Sequence, residues 1–142
     1  MKWYADRQAE RAGLRIQVAA DASLPRLPHD IEIACFRIAQ EALTNVVRHA
    51  KAHRVIVTLK RGAISVELRV QDDGIGFVVE AVSFPHAGGA SIGMVSMQER
   101  ARLLGGEARI KSTLGHGTEV IALLPLPLTS PVDTPIKEVS RS

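Results

Sequence analysis

The sequence is poor in the residues that build cross-links and membrane spans. Of its 142 residues one is a cysteine, Cys35, so neither a disulfide framework nor a cysteine metal site is available. No apolar run approaches the roughly 18 residues of a membrane span, and residues 1–13 are too charged for a signal peptide. We therefore expect a cytoplasmic domain with no direct membrane contact and a buried, unreactive Cys35.

Acidic residues are missing from the stretch between Glu41 and Glu67, whereas the net charge of the whole chain is only +3. The basic residues in that stretch are Arg48, Lys51, Arg54, Lys60 and Arg61. They give it a local positive potential, for which nucleic acid binding would be one explanation. Aromatic residues make up only 4% of the chain, and no helix-turn-helix or zinc-finger spacing occurs, so we expect no nucleic acid partner.

One helical segment, residues 37–50, carries a polar face. At about 100° per residue, Glu41, Asn45 and His49 share one side of the helix, with Arg48 beside them. The apolar residues assigned to the opposite side are Phe36, Ala39, Leu43, Val46, Val47 and Ala50. This pattern is typical of a helix that packs on a core by its back and leaves its polar front for another partner.

The order of the predicted elements indicates an α+β fold. The helices are predicted over residues 4–12, 31–50 and 92–104, and the strands over 14–20, 54–60, 63–71, 107–112 and 118–124. Because most strands are joined as hairpins, we expect helices packed on a mainly antiparallel sheet. Residues 78–91 are rich in Gly, Ala, Ser and Pro and are interpreted as a mobile loop.

One carboxylate continues an apolar strand pattern. The apolar residues of one parity in this strand are Ile64, Val66, Leu68 and Val70. Asp72 continues that parity and would point toward the core, where a carboxylate needs a hydrogen-bonding partner in the protein or a ligand. The alternative is that the strand frays and residues 72–74 form an exposed turn.

Glycines form three clusters. These are Gly74 and Gly76; Gly88, Gly89 and Gly93; and Gly115 and Gly117. Glycine lets backbone amides approach phosphates, and the helix that begins near Ile92 would aim its positive end at an anion. Neither the phosphate-loop pattern nor the full dinucleotide fingerprint is present.

Taken in chain order, four segments resemble a known superfamily. "EALTNVVRHA", "DDGIGF", "IGMVSMQERARLLGG" and "GHGTEV" are similar to the N box and the first, second and third glycine boxes of the GHKL ATPases. Within that superfamily, the segments are most similar to the catalytic domain of nitrate-sensor-like sensor histidine kinases. The resemblance covers about residues 30–125 and implies a Bergerat fold, a two-layer sandwich of helices on a mainly antiparallel mixed sheet.

The resemblance implies ATP and Mg²⁺ as cofactors and gives the polar helix face its partner. Asn45 matches the residue that coordinates Mg²⁺, and Glu41 matches the catalytic position beside the metal and its water. Oxygen ligands of this kind suit Mg²⁺. Arg48 and His49 match positions near the phosphates.

The resemblance also assigns the base and lid positions. Asp72 matches the aspartate that accepts from the adenine amino group, with Thr118 assisting it through its hydroxyl or a water. The glycines that match the adenine pocket, the lid and the start of the last strand are Gly74, Gly76, Gly93 and Gly117. Met94 follows Gly93 in the same box and is counted with the binding residues, although its helical spacing with Met97 is typical of a core position.

We expect three parts of the chain: an N-terminal part over 1–27, an ATP-binding core over 28–125, to which the resemblance applies, and a tail over 126–142. The tail is rich in Pro and Ser without a core pattern and is expected to be disordered. Ser91 stands where the second box usually has its first glycine. His29 and Asp30 follow Pro28, which indicates a helix entry rather than a phosphoacceptor histidine.

The expected function is that of a sensor histidine kinase catalytic domain. Its partners would be the histidine-bearing dimerisation domain of the same kinase and, indirectly, a response regulator. The alternatives are an anti-sigma-type serine kinase, a nucleotide-binding module of the same fold without turnover, and a purely structural interaction domain.

Overall fold

The computed structural model describes residues 14–20, 27–76 and 89–127. Its strands are β1 (Arg15–Ala20), β2 (Arg54–Arg61), β3 (Ser65–Asp72), β4 (Glu107–Thr113) and β5 (Gly117–Pro125), and its helices are α1 (His29–Asn45) and α2 (Gly89–Leu103). The predicted helix over residues 4–12 lies outside the described residues, as do the predicted tail from residue 128 and residues 78–88 of the predicted loop. Residues 89–91 belong to α2, so the predicted loop extends too far into that helix.

The strands form one mixed sheet in the order β1-β2-β3-β5-β4. β1 runs parallel to β2 through a connection that contains α1, and the other three pairs are antiparallel. The β2–β3 hairpin closes at Gly62, whose N–H donates to the Ser65 carbonyl at 2.8 Å. The predicted α+β class with a mainly antiparallel mixed sheet is confirmed.

The core lies between the helices and one face of the sheet. In β3 the buried positions alternate through Val66, Leu68 and Val70, as predicted. Ile64 is 68% exposed, so its assignment to the core face was wrong. The reason is that β3 begins at Ser65 and Ile64 lies in the hairpin turn before it.

Helix α1 buries a wider face than the one predicted, in which Ala39 and Leu43 are buried as expected. The buried residues of α1 are Ile31, Ala34, Cys35, Ile38, Ala39, Ala42 and Leu43. Ile38 and Ala42 lie on the Asn45 side of the helix, while Phe36 is only half-buried. The prediction missed this because α1 packs against both the sheet and α2, which buries a wider stripe. Glu41 and Asn45 therefore lie at the border of the buried face rather than opposite it.

Cys35 belongs to the buried face of α1 and is 2% exposed. Burial, and to a lesser extent the charge of Glu32, raises the pKa of its thiol to about 11. Because the thiolate is the reactive form, the thiol is unreactive near neutral pH, as predicted. Neither of the described helices is long and apolar enough to cross a membrane.

Candidate functional site

Asp72 ends β3 and is the one charged side chain buried among the described residues, at 7% exposed. Its Oδ1 accepts the Gly74 backbone N–H at 2.7 Å, and the Thr118 backbone N–H is a second donor to the carboxylate. The strand keeps its alternation to the end, so the predicted inward direction of Asp72 is confirmed and the exposed turn is excluded. The assignment of Asp72 to adenine stays a prediction.

The pKa of the Asp72 carboxyl is raised above its ordinary value. Burial is the largest cause, and the nearby charge of Asp73 adds to it, while the two backbone donors oppose it. The charged form is therefore solvated less well by the protein than by water. A further donor from a ligand would offset part of that deficit.

Two hydroxyls lie beside this carboxylate on the helix-covered face of the sheet. Thr118 in β5 and Ser112 in β4 face each other across the hairpin, with 2.8 Å between their Oγ atoms. Asp72, Ser112 and Thr118 line a cleft of about 150 Å³ together with His116 and Gly117 of the connecting turn. The cleft is therefore lined by hydrogen-bonding groups at the end of the sheet.

Two glycines allow the segment after Asp72 to pack against the β4–β5 turn. Gly76 has a φ of +68°, and an ideal Cβ there would lie 2.1 Å from the Thr113 carbonyl oxygen. Gly117 has a φ of +88°, and its Cβ would lie 2.1 Å from the Asp72 carbonyl oxygen. No side chain fits at either position. Sequence reasoning assigned Gly76 to the adenine pocket and missed its role in holding these two backbones together.

Asp73 also has a role that sequence reasoning missed. Its Oδ1 accepts the backbone N–H groups of His53 and Arg54, each at 2.9 Å, and these bonds lower the pKa of its exposed carboxyl. The end of β3 is thereby tied to the start of β2. The signal in the sequence was the second acid of the Asp-Asp-Gly run, which suits a turn acceptor.

A second group forms where α2 meets α1. Gly93 is buried, and an ideal Cβ there would lie 2.7 Å from Glu41 Oε2 and 3.2 Å from Asn45 Nδ2. The structure thus brings together three of the predicted site residues. Gly93 lies near the N-terminal, positive end of α2, so this junction is suited to an anion with its counterion.

The donor set at this junction fits Mg²⁺ in type. A carboxylate and an amide oxygen are ligands that Mg²⁺ accepts, and Mg²⁺ is often held by one or two protein groups together with substrate phosphates. The described residues contain no cluster of three or more His, Cys, Asp or Glu side chains that would hold a metal by themselves. Nucleotide oxygens and water would therefore complete the coordination.

The end of the polar helix departs from the predicted geometry. Residues Val46–Ala50 form a π-helical turn, which ends at Lys51 in a left-handed conformation with a φ of 50°. A π turn rotates each residue by less than the α-helical 100°, so the angular positions of Arg48 and His49 are shifted from those predicted, and their roles stay predictions. Arg48 is exposed, and the His49 side chain lies outside the described part of the structure.

The remaining predicted site residues are Gly74, which is buried, and Met94, which is 5% exposed and belongs to the hydrophobic core. The Gly74 amide is committed to Asp72. The burial of Met94 agrees with its helical spacing, and its role as a nucleotide contact stays a prediction.

Comparison with known proteins shows the family. Residues 30–128 match the family described as histidine kinase-, DNA gyrase B- and HSP90-like ATPase. The chain belongs to this family, so it is an ATP-binding domain of the GHKL type, and the predicted resemblance is confirmed.

The similar proteins are sensor kinases. An uncharacterised sensor-like histidine kinase of Chloroflexus aurantiacus is 38% identical over 129 residues, which cover 89% of this chain and 22% of that protein. The nitrate/nitrite sensor protein NarX of Escherichia coli is 38% identical over 98 residues, which cover 68% of this chain and 16% of NarX. Both relatives favour the sensor-kinase class over the anti-sigma-type alternative, and the chain spans about a fifth of their length.

The crystal structure of full-length ShkA in complex with AMPPNP superposes with a TM-score of 0.73 at 23% identity, covering 88% of this chain and 29% of ShkA. This likeness establishes the fold.

Proposed function

We propose that this chain is the ATP-binding catalytic domain of a sensor histidine kinase. It holds ATP with Mg²⁺ and presents the γ-phosphate to a histidine on the dimerisation domain of the same kinase, from which a response regulator is phosphorylated indirectly. The observation that carries the proposal is the buried Asp72 carboxylate, which lines a polar cleft and whose pKa is raised by burial in spite of two backbone hydrogen bonds. The sensor-kinase relatives support the reaction class.

In this proposal, the Asp72 side of the site selects the base. The Asp72 carboxylate accepts from the adenine amino group, and Thr118 accepts beside it. The conformations of Gly74, Gly76 and Gly117 keep the two strands and their turns close around the base.

The junction of α1 and α2 holds the phosphates. Asn45 and Glu41 bind the metal ion, Gly93 leaves space for the lid to approach them, and Arg48 and His49 lie near the phosphates. Mg²⁺ held there would neutralise charge on the phosphates. Glu41 would lie beside the metal and its water, and Arg48 would offset phosphate charge.

Phosphoryl transfer needs positioning and charge stabilisation more than covalent help from the protein. The chain's contribution is thus to fix the base at one end of the sheet and the phosphates at the α1–α2 junction. We assign the ATP-binding core to residues 28–125 and place the domain in the cytoplasmic part of its kinase.

The direct test is transfer from ATP radiolabelled on its γ-phosphate. The chain alone should remain unlabelled, while an added histidine-bearing dimerisation domain should acquire an acid-labile, alkali-stable label. The matched control is the same dimerisation domain with its histidine replaced by alanine, which should stay unlabelled. Labelling of an anti-sigma antagonist on serine would favour the serine-kinase alternative. Strong labelling of the isolated chain that His29→Ala abolishes would contradict the proposal.

A further inference from the structure

Ser112 is a half-buried hydroxyl of β4 to which the proposed function assigns no role. Its Oγ lies 3.2 Å from the Gly117 carbonyl oxygen and 2.8 Å from Thr118 Oγ1. Asp72, which the proposed function assigns to adenine, lines the same cleft as Ser112 and Thr118. Ser112 is therefore placed to act on the base through Thr118.

The donor and acceptor roles in this cluster follow from its chemistry. A carbonyl oxygen only accepts, so the Ser112 hydroxyl donates to Gly117. Either hydroxyl can donate in the 2.8 Å contact, and a Ser112 hydrogen directed at the Gly117 carbonyl leaves this contact to the hydrogen of Thr118. In that arrangement the Thr118 oxygen keeps lone pairs for a third partner and acts as an acceptor toward the cleft.

We propose that Ser112 is a positioning residue for base selection, because it fixes the Thr118 hydroxyl as an acceptor beside the Asp72 carboxylate. Two adjacent acceptors suit a base that carries an amino group at this point, directly or through a water. A base with a carbonyl at the same point meets these two acceptors and binds less well. The inference rests on the proposed function and concerns the selectivity of that site.

Removal of the Ser112 hydroxyl should change selectivity more than folding. Without that partner the Thr118 hydroxyl rotates freely and becomes able to donate to a carbonyl. Binding of ATP loses an aligned acceptor, and binding of inosine triphosphate, which has a carbonyl in place of the adenine amino group, gains a donor. Because one neutral hydrogen bond is involved, the ratio of ATP to inosine triphosphate affinity should fall by about threefold to tenfold.

The experiment is calorimetric titration of ATP and inosine triphosphate into the wild type and into Ser112→Ala, Ser112→Thr and Ser112→Val. Threonine and valine have nearly the same shape and differ in the hydroxyl, so this pair makes the comparison even if the alanine variant does not fold. We expect Ser112→Thr to keep the wild-type ratio and Ser112→Val to lower it. Ser65→Ala, a matched hydroxyl removal at the other end of β3, should leave the ratio unchanged.

If the threonine and valine variants had equal ratios of ATP to inosine triphosphate affinity, the role of Ser112 would be overturned, because a purely structural residue would weaken binding of both nucleotides alike. The proposed function would remain intact. An equal effect of Ser65→Ala would also overturn the role of Ser112. A wild type that binds no ATP would overturn the proposed function and this inference together.

Discussion

At the scale of single residues, the site depends on a charge that the fold holds at some expense to its own stability. Asp72 is buried with two backbone donors, and its pKa is nevertheless raised. Asp73, the next residue in the chain, shows the opposite balance, with a lowered pKa and an exposed side chain. The charged form of Asp72 therefore lowers the stability of the fold, whereas the charged form of Asp73 raises it.

This difference predicts opposite pH dependences. Because the pKa of Asp72 is higher in the folded state, folding favours its protonated form. The stability that this preference contributes is present below the ordinary pKa of 3.8 and is lost as pH rises through the folded-state pKa. Asp72→Asn should therefore gain free energy of unfolding relative to the wild type as pH rises from about 4 toward 7. Denaturant titrations over that pH range measure the difference.

Asp73→Asn is the matched control for the Asp72 variant. Because the pKa of Asp73 is lower in the folded state, folding favours its charged form. The stability that this preference contributes is present above the ordinary pKa of 3.8 and is lost as pH falls through the folded-state pKa. The Asp73 variant should therefore be no more stable than the wild type at neutral pH. An Asp72→Asn protein that loses stability relative to the wild type as pH rises would contradict the account of the buried charge.

The second residue-scale prediction concerns the proposed metal site. Asn45→Ala should weaken ATP binding in the presence of Mg²⁺ and leave the fold intact, because Asn45 lies at the border of the buried face. Loss of one metal ligand should lower the Mg²⁺-dependent gain in affinity by about tenfold or more. Titrations with and without Mg²⁺ measure that gain. Gln40→Ala removes an amide from the same helix and should leave the Mg²⁺-dependent increase in ATP affinity unchanged. If Asn45→Ala also left that increase unchanged, Asn45 would not belong to the metal site.

At the scale of elements, two turns from distant parts of the chain pack without side chains between them. The segment after β3 and the β4–β5 turn are held by the Gly115 N–H, which donates to the Ile75 carbonyl at 2.7 Å. Gly76 and Gly117 supply the close approach. This contact positions Asp72 and Thr118 relative to each other.

Alanine at either glycine should destabilise the domain. Gly76→Ala and Gly117→Ala each combine a positive φ with a backbone clash, so we expect a loss of about 2 to 4 kcal/mol in the free energy of unfolding. Gly115 also has a positive φ of 82° but has open space where its Cβ would be. Gly115→Ala should therefore lose only about 1 kcal/mol. Equal losses in all three variants, measured by chemical denaturation, would show that the close approach contributes nothing beyond backbone strain.

The elements themselves follow from sequence periodicity, whereas their mutual packing does not. Alternation in β3 predicted the inward Asp72, because a strand repeats every two residues regardless of its neighbours. The buried face of α1 was predicted too narrowly, since the contact with α2 brings Ile38 and Ala42 into the core as well. The π turn after Asn45 leaves no signal in local periodicity. The roles of Gly76 and Asp73 depend on partners some 20 to 40 residues away, and local periodicity does not identify those partners.

At the scale of the whole molecule, the mixed sheet places both groups of site residues on its helix-covered face. Asp72 and Thr118 lie at the end of the two central strands β3 and β5, and Glu41 and Asn45 lie on the helix that packs against those strands. A ligand with a base at one end and phosphates at the other matches such an arrangement. The family match and the sensor-kinase relatives agree with ATP as that ligand.

The central claim is that Asp72 makes this domain selective for adenine, and calorimetry with ATP and GTP in the presence of Mg²⁺ tests it most directly. Guanine presents a carbonyl where adenine has its amino group, so GTP should bind the wild type at least about tenfold more weakly than ATP. Asp72→Asn should weaken ATP binding by about 1.5 to 3 kcal/mol, one to two decades in the dissociation constant. Equal affinity of the wild type for ATP and GTP would contradict the account.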